Sequence, residues 1–169
     1  MPALTYPQAR PLIKSGDILA LTHQDWSSWY DVQIQMVRTF TQSEYCHVGL
    51  IWEVAGRLFV VEAVQPLVRL VPLSNYADQG FFWIPMDTPI TDPELAHALA
   101  RVGKAKYSKL RAVLAYLKRI TIGAAPLESC AEFLIECRRL SGADLGDVAT
   151  PADVIRHCGK PIWPVKGAQ

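Results

Sequence analysis

The sequence predicts an α+β fold in which a small antiparallel sheet or partial barrel packs against helices. Three observations carry this expectation. β-rich segments fill the first half of the chain, helical patterns fill the second, and the two do not alternate as βαβ units would. The chain has 169 residues, the length of a single domain spanning 1–169. Half of it is hydrophobic and a fifth is charged, which suits a globular core and not a disordered chain.

Taken in order, Gly16-Asp17 opens an apolar run at 18–21 that reads as a strand. Residues 26–40 follow, with Trp29, Val32, Gln33, Met36, Val37 and Phe40 at helical spacing, so an amphipathic helix is expected. Segments 45–52 and 58–64 are β-rich and flank Ala55-Gly56, which predicts a hairpin. Two further strands are expected at 68–72 and 81–84. Beyond Thr91-Asp92-Pro93 the pattern becomes helical. Thr91 or Asp92 can cap, Pro93 fits the first turn, Leu95, Leu99 and Val102 form the apolar stripe, and Gly103 ends it. A second helix is expected at about 110–120 and a third from Glu128-Ser129 to Ser141-Gly142. The fourth starts with Thr150 as cap and Pro151 at the first helical position, and ends at Gly159.

Seventeen basic residues against sixteen acidic ones leave a net charge of +1, which argues against a dedicated nucleic-acid binder. No apolar stretch reaches the roughly 18 residues of a membrane span. The opening Met1-Pro2-Ala3-Leu4 lacks a basic n-region and an apolar h-region, so a cytoplasmic protein is expected. Cys46, Cys130, Cys137 and Cys158 form no Cys-x-x-Cys pair and do not resemble a disulfide framework. Arg101, Lys104, Lys106, Lys109, Arg111, Lys118 and Arg119 share a stretch without acidic residues. That surface could attract an anionic substrate or a membrane face, although a solvated helix face explains it as well. Trp26, Trp29 and Tyr30 cluster after the first strand, with Trp26 the candidate for a groove wall.

No metal site is expected. Cys46-His47 and His157-Cys158 are adjacent pairs, whereas structural zinc sites space their ligands by two to four residues. No Walker-type glycine loop is present, so nucleotide hydrolysis and a nucleotide cofactor have no support.

The chemistry gathers around Cys130. It follows the loop Gly123-Ala124-Ala125-Pro126 and lies in the first turn of the third helix. Unpaired amides and the positive end of the helix dipole favour a thiolate at such a position, and the same amides could hold an oxyanion. The alternative is a small core residue near a helix start. His47 opens a strand. If Ala55-Gly56 is a two-residue turn, Val54 faces Arg57, and the same register puts His47 opposite Val64 and Gly49 opposite Glu62. His47 and Glu62 are then diagonal neighbours on one face, within the roughly 7–8 Å that a Glu–His hydrogen bond can span. A three-residue turn would reverse the parity. Thiol, imidazole and carboxylate are the parts of a nucleophile, base and orienting group.

The ordered motifs Gly16-Asp17-Ile18-Leu19, His47-Val48-Gly49, Val61-Glu62-Ala63, Gly103 to Tyr107-Ser108, Cys130-Ala131-Glu132-Phe133 and Thr150-Pro151-Ala152-Asp153 resemble the circularly permuted NlpC-type papain-like hydrolases. The resemblance covers about residues 15 to 157. In this branch the histidine strand precedes the cysteine helix, as it does here. The resemblance implies a papain-like fold, with Cys130 as nucleophile, His47 as base, Glu62 as its polar partner and Tyr107 as a hydroxyl that could help bind an oxyanion. It also implies a thiol hydrolase or cysteine peptidase needing no cofactor, with a peptide or peptidoglycan-fragment amide as substrate. Ser129 departs from the Asp or Asn that many relatives carry before the cysteine. The lecithin–retinol acyltransferase-like sister group, with its Asn-Cys-Glu-His-Phe motif, matches Ser129-Cys130-Ala131-Glu132-Phe133 less well. It keeps a lipid acyl substrate, or an acyltransferase, as an alternative. A non-catalytic binding module on the same fold is the other.

Overall fold

A computed structural model describes residues 2–22, 45–64, 66–104, 106–107, 127–128, 130–145 and 150–167. Nine strands form one sheet: β1 (Leu4–Thr5), β2 (Ile18–Leu21), β3 (His47–Val54), β4 (Arg57–Val64), β5 (Leu67–Pro72), β6 (Phe81–Ile84), β7 (Lys106–Tyr107), β8 (Leu127–Glu128) and β9 (Trp163–Lys166). Their order is β1-β9-β6-β2-β3-β4-β5-β7-β8. The helices are α1 (Tyr6–Ala9), α2 (Asp92–Arg101), α3 (Cys130–Arg139) and α4 (Pro151–Cys158), and a 3-10 turn covers Leu73–Tyr76.

The α+β class holds, but the sheet is mixed where a purely antiparallel one was expected. The run from β9 through β7 is antiparallel throughout, whereas β1 pairs with β9, and β7 with β8, in parallel. Parallel neighbours need a long connection. The first pair joins segments near opposite ends of the chain, and the second is separated by the residues between 107 and 127. Among the described strands the order ends at β1 and β8, which do not pair with each other, so the sheet is open there.

Alternation along the strands gives the sheet two buried faces. Ile18, Ala20, Val48, Leu50, Val61 and Ala63 pack under the helices, against Ala98, Phe133, Leu134, Val154 and Ile155. On the reverse face Leu19, Ile51, Leu58 and Val60 lie with Ala9, Ile13, Leu73, Tyr76 and Trp83. α3 packs on β3 and β4, which fixes its first residue relative to the hairpin.

Helix ends follow the local chemistry. Thr91 and Thr150 cap α2 and α4 by accepting from the Glu94 and Asp153 amides, each helix has Pro in its first turn, and Gly159 closes α4 in the left-handed region. The helices expected at 26–40 and 110–120 lie outside the described residues. So do Trp26, Trp29 and Tyr30 and the basic segment beyond Tyr107.

Candidate functional site

The hairpin of β3 and β4 sets the site. Ala55 and Gly56 have φ of 49° and 72°, the positive values a two-residue hairpin turn requires at both central positions. The ladder pairs Val54 with Arg57 and continues in register to Leu50 with Val61. One step further the register puts Gly49 opposite Glu62, and a Cβ built on Gly49 would stand 3.3 Å from the Glu62 Cβ. The bare backbone of Gly49 therefore leaves room for the carboxylate to reach diagonally. His47 Nε2 lies 2.6 Å from Glu62 Oε2.

Glu62 is wholly buried, and its two carboxylate oxygens meet three polar partners. Arg69, paired with Glu62 across β4 and β5, donates from Nε to Oε1 at 2.8 Å. The Tyr76 hydroxyl, at the end of the 3-10 turn, donates to the same oxygen in a short hydrogen bond. Arg69 Nη2 in turn donates to the Tyr76 oxygen at 3.2 Å. Burial alone would raise the Glu62 pKa. The His47 hydrogen bond and charge, with Tyr76 and Arg69 behind them, outweigh it and hold the group at about 2. Glu62 is thus an anion. Burial and then the carboxylate push the Tyr76 phenol up, so it stays a hydroxyl donor.

Cys130 is the first residue of α3 and is 5% exposed. The amides of a helix's first turn lack intrahelical partners. Its sulfur interacts with the His47 imidazole, and that interaction favours the protonated ring. With Nε2–H given to the Glu62 carboxylate, Nδ1 is the ring nitrogen left for the sulfur. Cys130 packs with the core of the helical face, whereas His47 shares the parity of Ile51 on the reverse face. His47 is the first residue of β3 and pairs with Leu21, the last of β2, so it stands at the end of its strand. Burial lowers the His47 pKa, but the bond and charge of Cys130, then those of Glu62, lift it from 6.5 to about 10.

Three of the four expected site residues therefore converge: Cys130, His47 and Glu62. For Tyr107 the backbone alone is described. It pairs in parallel with Glu128, two residues before Cys130, and its side chain lies outside the described residues, as does Ser129. Sequence reasoning missed Arg69 and Tyr76. Arg69 had a signal: it interrupts the apolar run Val68-Arg69-Leu70, and the ladder that pairs Val64 with Leu67 opposes it to Glu62. Tyr76 had none, because a single 3-10 turn leaves no periodic pattern.

The remaining cysteines have other surroundings. Cys137 is completely buried, and burial pushes the Cys158 thiol up to about 11. Cys46 hydrogen-bonds the Leu21 carbonyl at 3.4 Å.

No protein-family model and no curated protein matches this chain. Among solved structures it is similar to a crystal structure described as metalloprotein yiiX from Escherichia coli O157:H7, DUF1105. The two are 15% identical with a TM-score of 0.62, over 92% of this chain and 97% of that one. At this identity the likeness is one of fold alone.

Proposed function

We propose that the chain is a thiol hydrolase of the permuted NlpC-type papain-like kind, cleaving a peptide-type amide through a thioester. The observation that carries the reading is the contact of His47 Nε2 with the buried Glu62 carboxylate at 2.6 Å, on a ring that also interacts with the Cys130 sulfur. Groups arranged as nucleophile, base and orienting anion suit acyl transfer.

The proposed steps use each group in turn. The Cys130 thiolate adds to the amide carbonyl, and main-chain amides at the start of α3 would receive the oxyanion. The His47 imidazolium gives its Nδ1 proton to the leaving nitrogen as the C–N bond breaks, leaving a thioester and a neutral ring. That ring takes a proton from water, and the oxygen adds to the thioester carbonyl. The carboxylic product leaves, and thiolate and imidazolium are restored. Glu62 stays ionised throughout, fixing the ring and balancing its charge.

The structural neighbour is described as a metalloprotein. The residues here do not suit an ion. Both Glu62 oxygens and His47 Nε2 are already engaged, and the described residues hold no group of three or more His, Cys, Asp or Glu able to bind a metal.

The test is thiol reactivity at pH 6. Iodoacetamide should label Cys130 at least about 10²-fold faster than Cys137 or Cys158, and His47→Ala should remove that advantage. Cys130→Ala should abolish turnover of any substrate that the wild type cleaves while leaving the fold intact. Mass spectrometry of adducts formed on Cys130 from a peptidoglycan digest and from a lipid extract assigns the acyl group. Equal, slow labelling of the three thiols would point to a binding module and end the proposal.

A further inference from the structure

We propose that Arg69 and Tyr76 are positioning residues that lock Glu62 as an anion with one oxygen turned to His47, and so set the acid limit at which the site works. The functional half of this rests on the thiol-hydrolase reading.

The argument is geometric. A carboxylate with no exposure does not stay ionised by itself, since burying an unpaired charge is expensive. Here two donors converge on Oε1, from β5 and from the 3-10 turn, and leave Oε2 to His47. The three groups also brace one another. Because the Tyr76 oxygen accepts from Arg69 Nη2, its hydrogen is turned toward Glu62. Arg69 thus holds the carboxylate directly and also orients the second donor. The charged and titratable groups around Glu62 are His47 from β3, Arg69 from β5 and Tyr76 from the turn after it, while Cys130 from α3 bonds the far side of His47.

The Arg69 side chain is half exposed, at 50%, whereas that of its partner is at 0%. Arg69 therefore supplies charge to the buried carboxylate while keeping much of its own hydration, which avoids most of the penalty of burying both ions. His47, at 15% exposure, lies on the opposite side of the same carboxylate. Glu62 is consequently held between two cationic groups. The arginine keeps its charge at all working pH values, and the imidazolium can give up its proton. Without the Oε1 donors, the carboxylate would be free to rotate and would take up a proton at higher pH. A protonated Glu62 cannot support an imidazolium on His47.

The experiment uses the full chain and two readouts. One is the pH profile of Cys130 modification by 2,2′-dithiodipyridine, a disulfide that stays reactive in acid. The other is the NMR titration of the Glu62 carboxyl. In Tyr76→Phe and in Arg69→Gln, both the acid limb of the profile and the Glu62 midpoint should move up by about one pH unit. In the pair of substitutions together they should move further. Arg69→Lys should restore part of the shift, because charge returns without the second donor to Tyr76. Residues that merely support the fold would lower the melting temperature and leave both midpoints in place, and that result overturns the inference. Tyr76→Phe is nearly isosteric and serves if the arginine variants fold poorly. Unselective labelling in the wild type would sink the hydrolase reading instead. The Glu62 titration would still decide whether Arg69 and Tyr76 hold the anion.

Discussion

Among the described residues two glutamates are completely buried, and their surroundings differ. Glu94, in the first turn of α2, meets Arg138 of α3, whose Nη1 stands 3.0 and 3.1 Å from the two carboxylate oxygens. Arg138 is itself fully buried, and its Nη2 donates to the Thr88 carbonyl at 2.6 Å. That pair is closed: one cation answers one anion and ties two helices and a loop together. Glu62 is divided among a histidine, a half-exposed arginine and a tyrosine, and the histidine passes the interaction on to a sulfur. Burial of a carboxylate therefore does not mark a reactive site. What distinguishes the Glu62 cluster is an ionisable partner with a second neighbour. The Glu94 cluster has a permanent cation whose other hydrogen bond goes to the Thr88 carbonyl.

The sharpest way to break this contrast is to unpair Glu94. Arg138→Met leaves an uncompensated buried carboxylate and should destabilise the fold by about 3–5 kcal/mol in urea denaturation. Replacing both partners by leucine should recover most of that, because the buried charge disappears with its partner. Labelling of Cys130 per folded molecule should be unchanged in either variant. A large loss of selective labelling in the double-leucine variant would show that the two clusters are coupled and would end the distinction between them.

The same contrast bears on what the sequence reveals. The hairpin was legible because its turn and its alternation agree, so the facing of His47 and Glu62 followed from parity. β2 and β6 lie at the expected residues, and β5 begins one residue earlier. α2 and α4 were legible from their Thr-x-Pro or Thr-Pro starts and from the glycines that follow them. α3 is shorter than its pattern, running only from Cys130 to Arg139. The edge strands were not legible. β1, β7 and β8 have two residues each, too few to show alternation, and Pro164 interrupts β9. The Arg138 contact, unlike that of Arg69, could not be read from the sequence. Arg138 sits beside Arg139 in what looks like an ordinary basic helix end, and only the fold shows that Arg138 is inside.

A smaller effect separates the clusters by pH. Burial lowers His47, but Cys130 and then Glu62 raise it to about 10, so its contribution to stability is complete below about 6.5 and is lost as pH rises through about 10. Glu62 is raised by burial and lowered further by His47, Tyr76 and Arg69, to about 2. Its contribution is complete above about 4.5 and is lost as pH falls through about 2. Both contributions are whole between about 4.5 and 6.5. The stability difference between the wild type and a His47→Gln/Glu62→Gln variant, measured in urea at a series of pH values, should therefore be largest in that window. It should shrink on either side. A difference that stays flat from pH 4.5 to 10 would mean that His47 is not held as an imidazolium.

The finest test lies at one atom. A methyl group on Gly49 would stand 2.6 Å from Val60 Cγ1 and 3.3 Å from the Glu62 Cβ, so one or both side chains must move. Gly49→Ala should cost about 1–3 kcal/mol by overpacking. It should also weaken the selective labelling of Cys130, because Glu62 is driven from the diagonal on which it meets His47. Gly56 is the control at the other end of the hairpin. Nothing lies within 4 Å of a Cβ there, but its φ is +72°, so Gly56→Ala carries only backbone strain of about 1 kcal/mol. Both variants should lower the melting temperature, and only Gly49→Ala should slow the thiol. If Gly56→Ala slowed it equally, general loosening of the hairpin would explain the effect, and the close approach at Gly49 would have no special claim on the site.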